Sequence, residues 1–210
     1  KVIPRFWYNL QMDYKNLMVP GLLVVLVTLM GMFLSSMNIV REKEIGTIEQ
    51  LNVTPIRKWQ FILGKLLPFW FISLFMLGVG LSLGKLFFHI PIEGSVPLLF
   101  GFAAIYLWVM LGMGLFVSTV SDTQQQSMFV SWFFLVIFIL LSGLFTPIEN
   151  MPHWAQAITW FNPVSYFVEV IRMVLLKGSG AAQIAKQFGI ITLFAVVING
   201  LAVLNYHKRT

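Results

Sequence analysis

Between Arg41 and Trp59 the chain reads R-E-K-E-I-G-T-I-E-Q-L-N-V-T-P-I-R-K-W, a stretch that holds seven of its 22 charged residues. The spacing suits docking rather than bond-making. Thr47 followed three residues later by Gln50 forms a capping box, and Glu49 favours the positive end of the helix dipole, so a short helix should start there. Pro55 disfavours the α region at Thr54 and ends that helix near Val53; Thr54 and Pro55 then begin the next helix. A helix of so few residues is marginal alone in water and must lean on something. Ile48 and Leu51 share one face, while Glu42, Glu44 and Glu49 supply an acidic element for basic partners. A solvated loop with routine interfacial charges fits the same residues, and the physics of the stretch alone does not choose between them.

Other chemistry is sparse. His89, His153 and His207 lie in three separate loops or tails with no carboxylate at ligand spacing, which argues against a metal site. G-V-G-L-S-L-G-K at 78–85 resembles a phosphate loop but has Val79 where the first Gly belongs and Leu86 where Ser or Thr is needed. No G-x-S-x-G elbow or H-E-x-x-H run occurs, and the absence of Cys excludes disulfides and thiolate chemistry. Asn52-Val53-Thr54 matches a glycosylation sequon but is followed by Pro55.

The elements around these residues are membrane elements. The chain is 58% hydrophobic, 10% charged and has a mean hydropathy of +0.84, against about 25% charged residues in soluble domains. Charge-free intervals run over 16–40, 66–84, 94–121, 123–148 and 187–207, each long enough for a helix to cross about 30 Å of hydrocarbon. The expectation is an all-α polytopic membrane protein with five spans, at about 18–39, 61–84, 98–120, 128–145 and 188–206. Residues 1–17 would close an extracytoplasmic region, 18–210 would form the transmembrane domain, and 41–59 would be a cytoplasmic segment. The net charge of +6 is scattered between apolar runs and points to membrane surface rather than nucleic acid.

Along the chain, Pro20 falls in the first turn of the first span, where a missing N–H costs little. Gly31 and Ser35 offer a small-residue face, and Gly101, Gly112 and Gly114 should let neighbours approach the third span. Lys65 is placed to snorkel to the interface, and Pro68 predicts a kink. S-D-T-Q-Q-Q at 121–126 is a polar turn on the side of the charged stretch.

From Pro147 to Lys177 the sequence is apolar but broken by proline, and reads as a re-entrant or interfacial helical hairpin. Trp154, Ile158 and Phe161 make one apolar stripe. After Asn162-Pro163, a second contains Phe167, Val170, Ile171, Val174 and Leu175. Glu169 and Arg172, three apart, could pair, and Lys177 before Gly178 suits a helix C-terminus. The last span carries Asn199 near its middle.

No Asp, Glu, Lys or Arg stands at a span centre, where an ion-coupled carrier would keep one. Energy for transport would therefore come from a separate subunit at a cytoplasmic surface. Basic residues split seven against seven between the two sides; their concentration beside the spans at 41–65 and 208–209 tips that side toward the cytoplasm.

The run R-E-K-E-I-G-T-I-E-Q-L-N-V-T-P-I, with a Lys in the helix that follows, resembles the signature loop of bacterial ATP-binding cassette permeases of the second export type, multidrug-export-like branch. M-V-P-G at 18–21, S-D-T-Q-Q-Q at 121–126, S-G-L-F-T-P-I-E-N-M-P at 142–152 and F-N-P-V-S-Y at 161–166 extend the likeness over essentially the whole chain. It implies six spans, the first of them and a large extracytoplasmic domain lying before residue 1, so that this chain would be the C-terminal five-span part. It implies a second permease as homo- or heterodimer partner, and two ATPase subunits that hold ATP and Mg while this chain holds no cofactor. It also implies a bacterial inner-membrane location with a cytoplasmic C-terminus.

On that likeness the coupling helix maps to about Gly46 through Val53, with Glu42, Glu44, Gly46, Thr47, Ile48, Glu49, Leu51 and Pro55 as the ATPase contact. Residues Pro147 to Lys177, with Glu149, Asn162, Pro163, Glu169 and Arg172, would be the extracytoplasmic hairpin. The expected activity is export of a hydrophobic or amphipathic drug or lipid-like substrate, with no catalytic residue or metal in this chain. The alternative is a structural or assembly subunit that anchors a cytoplasmic partner and transports nothing.

Overall fold

The computed structural model describes residues 14–46 and 58–205. Their regular structure is helical throughout: α1 (Tyr14–Ile45), α2 (Lys58–Phe88), α3 (Val96–Val120), α4 (Gln124–Leu140), a 3-10 turn (Ile148–Asn150), α5 (His153–Thr159), α6 (Pro163–Lys177) and α7 (Ala181–Asn205). Among the described residues, α1, α2, α3 and α7 are long and apolar enough to cross a membrane. The five expected spans thus become four long helices and the shorter α4.

That difference has a local cause. The fourth span was expected to run to Phe145, but α4 has 17 residues and rises only about 25 Å. Ser142 interrupts it: its hydroxyl donates to the Ile139 carbonyl at 2.7 Å and accepts from the Leu144 N–H at 3.2 Å, offering the backbone partners outside the helix. Gly143 follows with φ +77°, a left-handed turn that glycine adopts without steric cost.

Other boundaries shift outward. The first helix already runs from Tyr14, so Pro20 lies inside it rather than in its first turn. Helix α2 passes through Pro68 as one element. Helix α7 begins at Ala181, seven residues before the expected Phe188, after Gly180 donates its N–H to the Gln183 side chain at 3.2 Å.

Helix α3 forms the centre. Leu99, Phe102, Ala103, Tyr106, Leu107 and Met110 are buried against Val24 and Val27 of α1, Phe167 and Val170 of α6, and Ile184 and Ile191 of α7. Small residues set the spacing. A Cβ at Gly114 would meet the Ser35 hydroxyl and the Met32 carbonyl, and one at Gly31 would meet Met110 Cβ at 3.1 Å. Ser35 donates to the Leu111 carbonyl at 3.0 Å. On the opposite side Asn199 reaches over Gly112 to donate to the Trp108 carbonyl at 2.9 Å. Gly101 plays no such part, its nearest neighbour, Phe188, being 4.0 Å from the Cβ position.

Helix α6 fills the room that α4 leaves by ending early. Asn162, its N-cap, accepts from the Val164 N–H and donates to the Phe138 carbonyl at 2.7 Å. Phe167 packs on Tyr106 and Phe102, with ring centroids 4.5 and 5.7 Å away. At the other end Leu175 accepts from the Glu93 N–H at 3.1 Å, and Gly178 closes the helix with φ +63° as its left-handed cap. The expected stripe of Phe167, Val170, Ile171, Val174 and Leu175 is wholly buried. The other expected stripe faces the opposite way: Trp154, Ile158 and Phe161 are exposed, because α5 meets the fold through Ala155 and Thr159 instead.

Candidate functional site

The end of α1 carries four consecutive charged residues, Arg41 to Glu44. Successive helical residues point about 100° apart, so Glu42, Lys43 and Glu44 project in three directions from one turn. Each direction meets a different helix. Glu42 pairs with Lys65 of α2 at 2.5 Å, with both side chains partly buried. Lys43 donates to the Ser118 carbonyl and, at 3.1 Å, to the Ser121 carbonyl, at the C-terminal end of α3. Glu44 accepts from the Gln124 backbone N–H at 2.9 Å and from the Gln124 side chain, at the N-terminal end of α4.

The signs match the helix dipoles. A cation sits on the last carbonyls of α3 and an anion on the first N–H groups of α4, the two arrangements that helix ends favour. The tight α3–α4 turn makes this possible, with Thr123 capping α4 through the Gln126 N–H at 3.2 Å and Gln126 reaching back to the Asp122 N–H at 3.0 Å. Beneath the polar layer Ile39, Ile62, Leu66, Leu111 and Leu115 form an apolar floor. Gly46 then ends α1 with φ +79°, its N–H bonded to the Lys43 carbonyl at 3.2 Å, and hands the chain to residues 47–57.

Of the expected coupling residues, Glu42, Glu44 and Gly46 are therefore gathered at one helix end. Thr47, Ile48, Glu49, Leu51 and Pro55, together with the expected helix of Gly46 to Val53, lie outside the described residues. The basic partner that the acidic element was expected to meet is, for Glu42, inside the chain: Lys65, assigned only to snorkelling from the sequence. Lys43 and Gln124 were not singled out at all. The available signal was that S-D-T-Q-Q-Q lies on the same side as the charged stretch.

The hairpin residues divide. Asn162 and Pro163 occupy the N-cap and first turn of α6, as their sequence order suggests. Glu149 is exposed on the 3-10 turn. The expected pairing of Glu169 with Arg172 is replaced by other partners. Arg172 donates to the carbonyls of Gly143 at 3.1 Å, Leu144 at 3.3 Å and Leu17 at 3.4 Å, whereas Glu169 accepts from Gln187 of α7 at 3.1 Å. Backbone carbonyls left without helical partners by the 141–145 turn draw the guanidinium away. Burial lowers the Arg172 pKa, from a value high enough that the group stays charged.

His89 and His153 are exposed, and among the described residues no group of His, Asp or Glu could hold a metal. Between α2, α3 and α7 lies a groove of ≈ 390 Å³, lined by Ile62, Leu66, Trp108, Thr192, Val196 and Asn199.

Comparison with known proteins places this chain among transport proteins. The profile of a family described as "ABC-2 family transporter protein" matches residues 2–204. "Probable multidrug ABC transporter permease YbhR" of Escherichia coli K12 is 37% identical over 177 residues, 84% of this chain and 48% of that protein. "Probable multidrug ABC transporter permease YbhS" of the same organism is 29% identical over 206 residues, 98% of this chain and 55% of that protein. "Inner membrane transport permease YhhJ" is 30% identical over 185 residues, covering 87% and 49% respectively. The chain spans about half the length of these curated relatives.

Proposed function

The chain belongs to the ABC-2 family of transporter proteins, and from that premise we propose that it is the membrane part of an ATP-driven exporter in the bacterial inner membrane. It works as a dimer of permeases over two ATPase subunits, which bind the ATP and Mg. The substrate class is hydrophobic or amphipathic, drug-like or lipid-like, in keeping with relatives named as multidrug permeases and with the apolar faces of the helices. The C-terminus and the segment after α1 lie on the cytoplasmic side.

One observation carries this reading. The segment 47–57 leaves the end of α1 at a point tied to α2, α3 and α4, so a partner that moves the segment moves the ends of four helices. Thr47, Ile48, Glu49 and Leu51, between Gly46 and Pro55, form the coupling contact: Ile48 and Leu51 insert and Glu49 meets a basic residue of the ATPase. Closure of the ATPase pair on ATP pulls the segment, and α1 and α2 tilt to open the path.

The test uses the full-length permease with its ATPase in proteoliposomes, measuring ATP turnover with and without a lipophilic cationic dye. Glu49→Arg should abolish the dye-stimulated increment and leave basal turnover in place. A stimulated increment that survives both Glu49→Arg and Ile48→Asp refutes this coupling contact, whereas wild type without any stimulated increment favours an anchoring subunit that transports nothing.

A further inference from the structure

The three charges at the end of α1 have partners that the docking reading does not use, and their arrangement carries a second conclusion. Glu42, Lys43 and Glu44 are consecutive, yet they hold α2 at Lys65, α3 at the Ser118 and Ser121 carbonyls, and α4 at Gln124. The contacts are 23, 75 to 78 and 80 residues away in sequence. Glu44 is exposed, yet Lys43 lies on the last carbonyls of α3, Glu44 on the first N–H groups of α4 and Glu42 on a lysine side chain of α2, above a packed floor of Ile39, Ile62, Leu66, Leu111 and Leu115. Three interhelical contacts from three consecutive residues are what a clamp within the chain needs and a docking patch does not. We infer that Glu42, Lys43 and Glu44 are an intrachain bracket: positioning residues that lock the ends of α1 to α4 into one body, so that load on segment 47–57 is shared among four helices.

This rests on the permease reading for its role and on geometry for its existence, and the two separate experimentally. The two carboxylates that flank Lys43 would otherwise serve as ATPase contacts, and the bracket assigns them to the other side of the coupling step. The consequence is specific. Breaking the Glu42–Lys65 pair should leave the ATPase bound and loosen the transmission of its stroke.

The full-length permease, purified with its ATPase, is compared as wild type, Glu42→Lys, Lys65→Glu and the double swap. Each single reversal should keep the ATPase at wild-type stoichiometry while the dye-stimulated turnover falls at least about fivefold, the low end of ordinary coupling factors; the double swap should recover it. Loss of the ATPase from Glu42→Lys that the added Lys65→Glu does not restore would overturn the inference, as would stimulation unchanged in both single variants. If wild type shows no stimulation, the permease reading fails and the bracket is decided separately. The sequence contains no Cys, so Glu42→Cys with Lys65→Cys, in full-length protein free of other cysteines, should be bridged by a short bifunctional thiol reagent. Folded protein that gives no intrachain bridge refutes the bracket whatever the transport assay reads.

Discussion

Replacing Arg172 with Ala tests which of two pairings holds the hairpin. Spacing along α6 suggests a salt bridge to Glu169, whereas the structure sends the guanidinium to the carbonyls of Gly143, Leu144 and Leu17. A net hydrogen bond involving a charged group contributes about 1.5–3 kcal/mol when buried. Arg172 is only partly buried, and two of its three contacts, at 3.3 and 3.4 Å, are long, so roughly 2–3 kcal/mol for the set is reasonable. Arg172→Lys keeps the charge but cannot fork across three carbonyls and should lose at least half of that. Glu169→Ala, which removes an exposed contact to Gln187, should cost under about 0.5 kcal/mol. The assay is denaturant unfolding of the purified protein in detergent, followed by tryptophan fluorescence, for both single variants and the double. Coupling between positions 169 and 172 should be near zero. A coupling energy above about 1 kcal/mol, with Glu169→Ala as damaging as Arg172→Ala, would show that the intrahelical pair is real and the carbonyl collar is not.

Two further outcomes can be checked by the same unfolding assay. A Cβ at Gly94 would run into the Val174 backbone carbonyl, which cannot turn aside, while Gly64 has nothing within 4 Å of its Cβ position; Gly94→Ala should cost about 1–3 kcal/mol, and Gly64→Ala, within α2, should be neutral or stabilising by up to about 1 kcal/mol. Tyr106→Phe removes a 2.5 Å contact to Thr28, but Thr28 keeps its bond to the Val24 carbonyl at 2.6 Å, so the loss should be near 1 kcal/mol, well below the roughly 3–5 kcal/mol expected for Phe167→Ala.

How much of this was legible in the sequence varied with the range of the interaction. Local signals were reliable: Asn162-Pro163 opening α6, Lys177-Gly178 closing it and the stripe from Phe167 to Leu175 depend on neighbours within one or two turns. Helix α4 showed where hydropathy stops helping. Residues 141–145, L-S-G-L-F, are as apolar as a span, and only the pairing of Ser142 with Gly143 separates them from helix. The stripe of Trp154, Ile158 and Phe161 is exposed rather than packed on the fold, since periodicity marks an apolar side without saying what covers it. At the charged end of α1 the segment was found because charge is rare in this chain. Its internal partners were not, because Lys65 and Gln124 become neighbours only when the bundle closes, and a stretch of Glu and Lys looks the same whether it faces a partner or its own chain.

Helix α6 sets an order on assembly. Its walls come from α1, α3, α4 and α7, and its N-cap Asn162, together with Glu169 and Arg172, bonds beyond the helix to Phe138 of α4, to Gln187 of α7, and to Leu17 of α1 and the 141–145 turn. With 15 residues it rises only about 22 Å, too little to cross a bilayer by itself, and one of its supports, α7, is synthesised after it. The contacts of α6 are therefore complete only when α7 is present, with Gln187 there to meet Glu169. A chain cut short before α7 would retain α1, α2 and α3 as membrane segments yet leave the hairpin unseated, and such a truncation should be cleared by quality-control proteases at α6 rather than at its long helices.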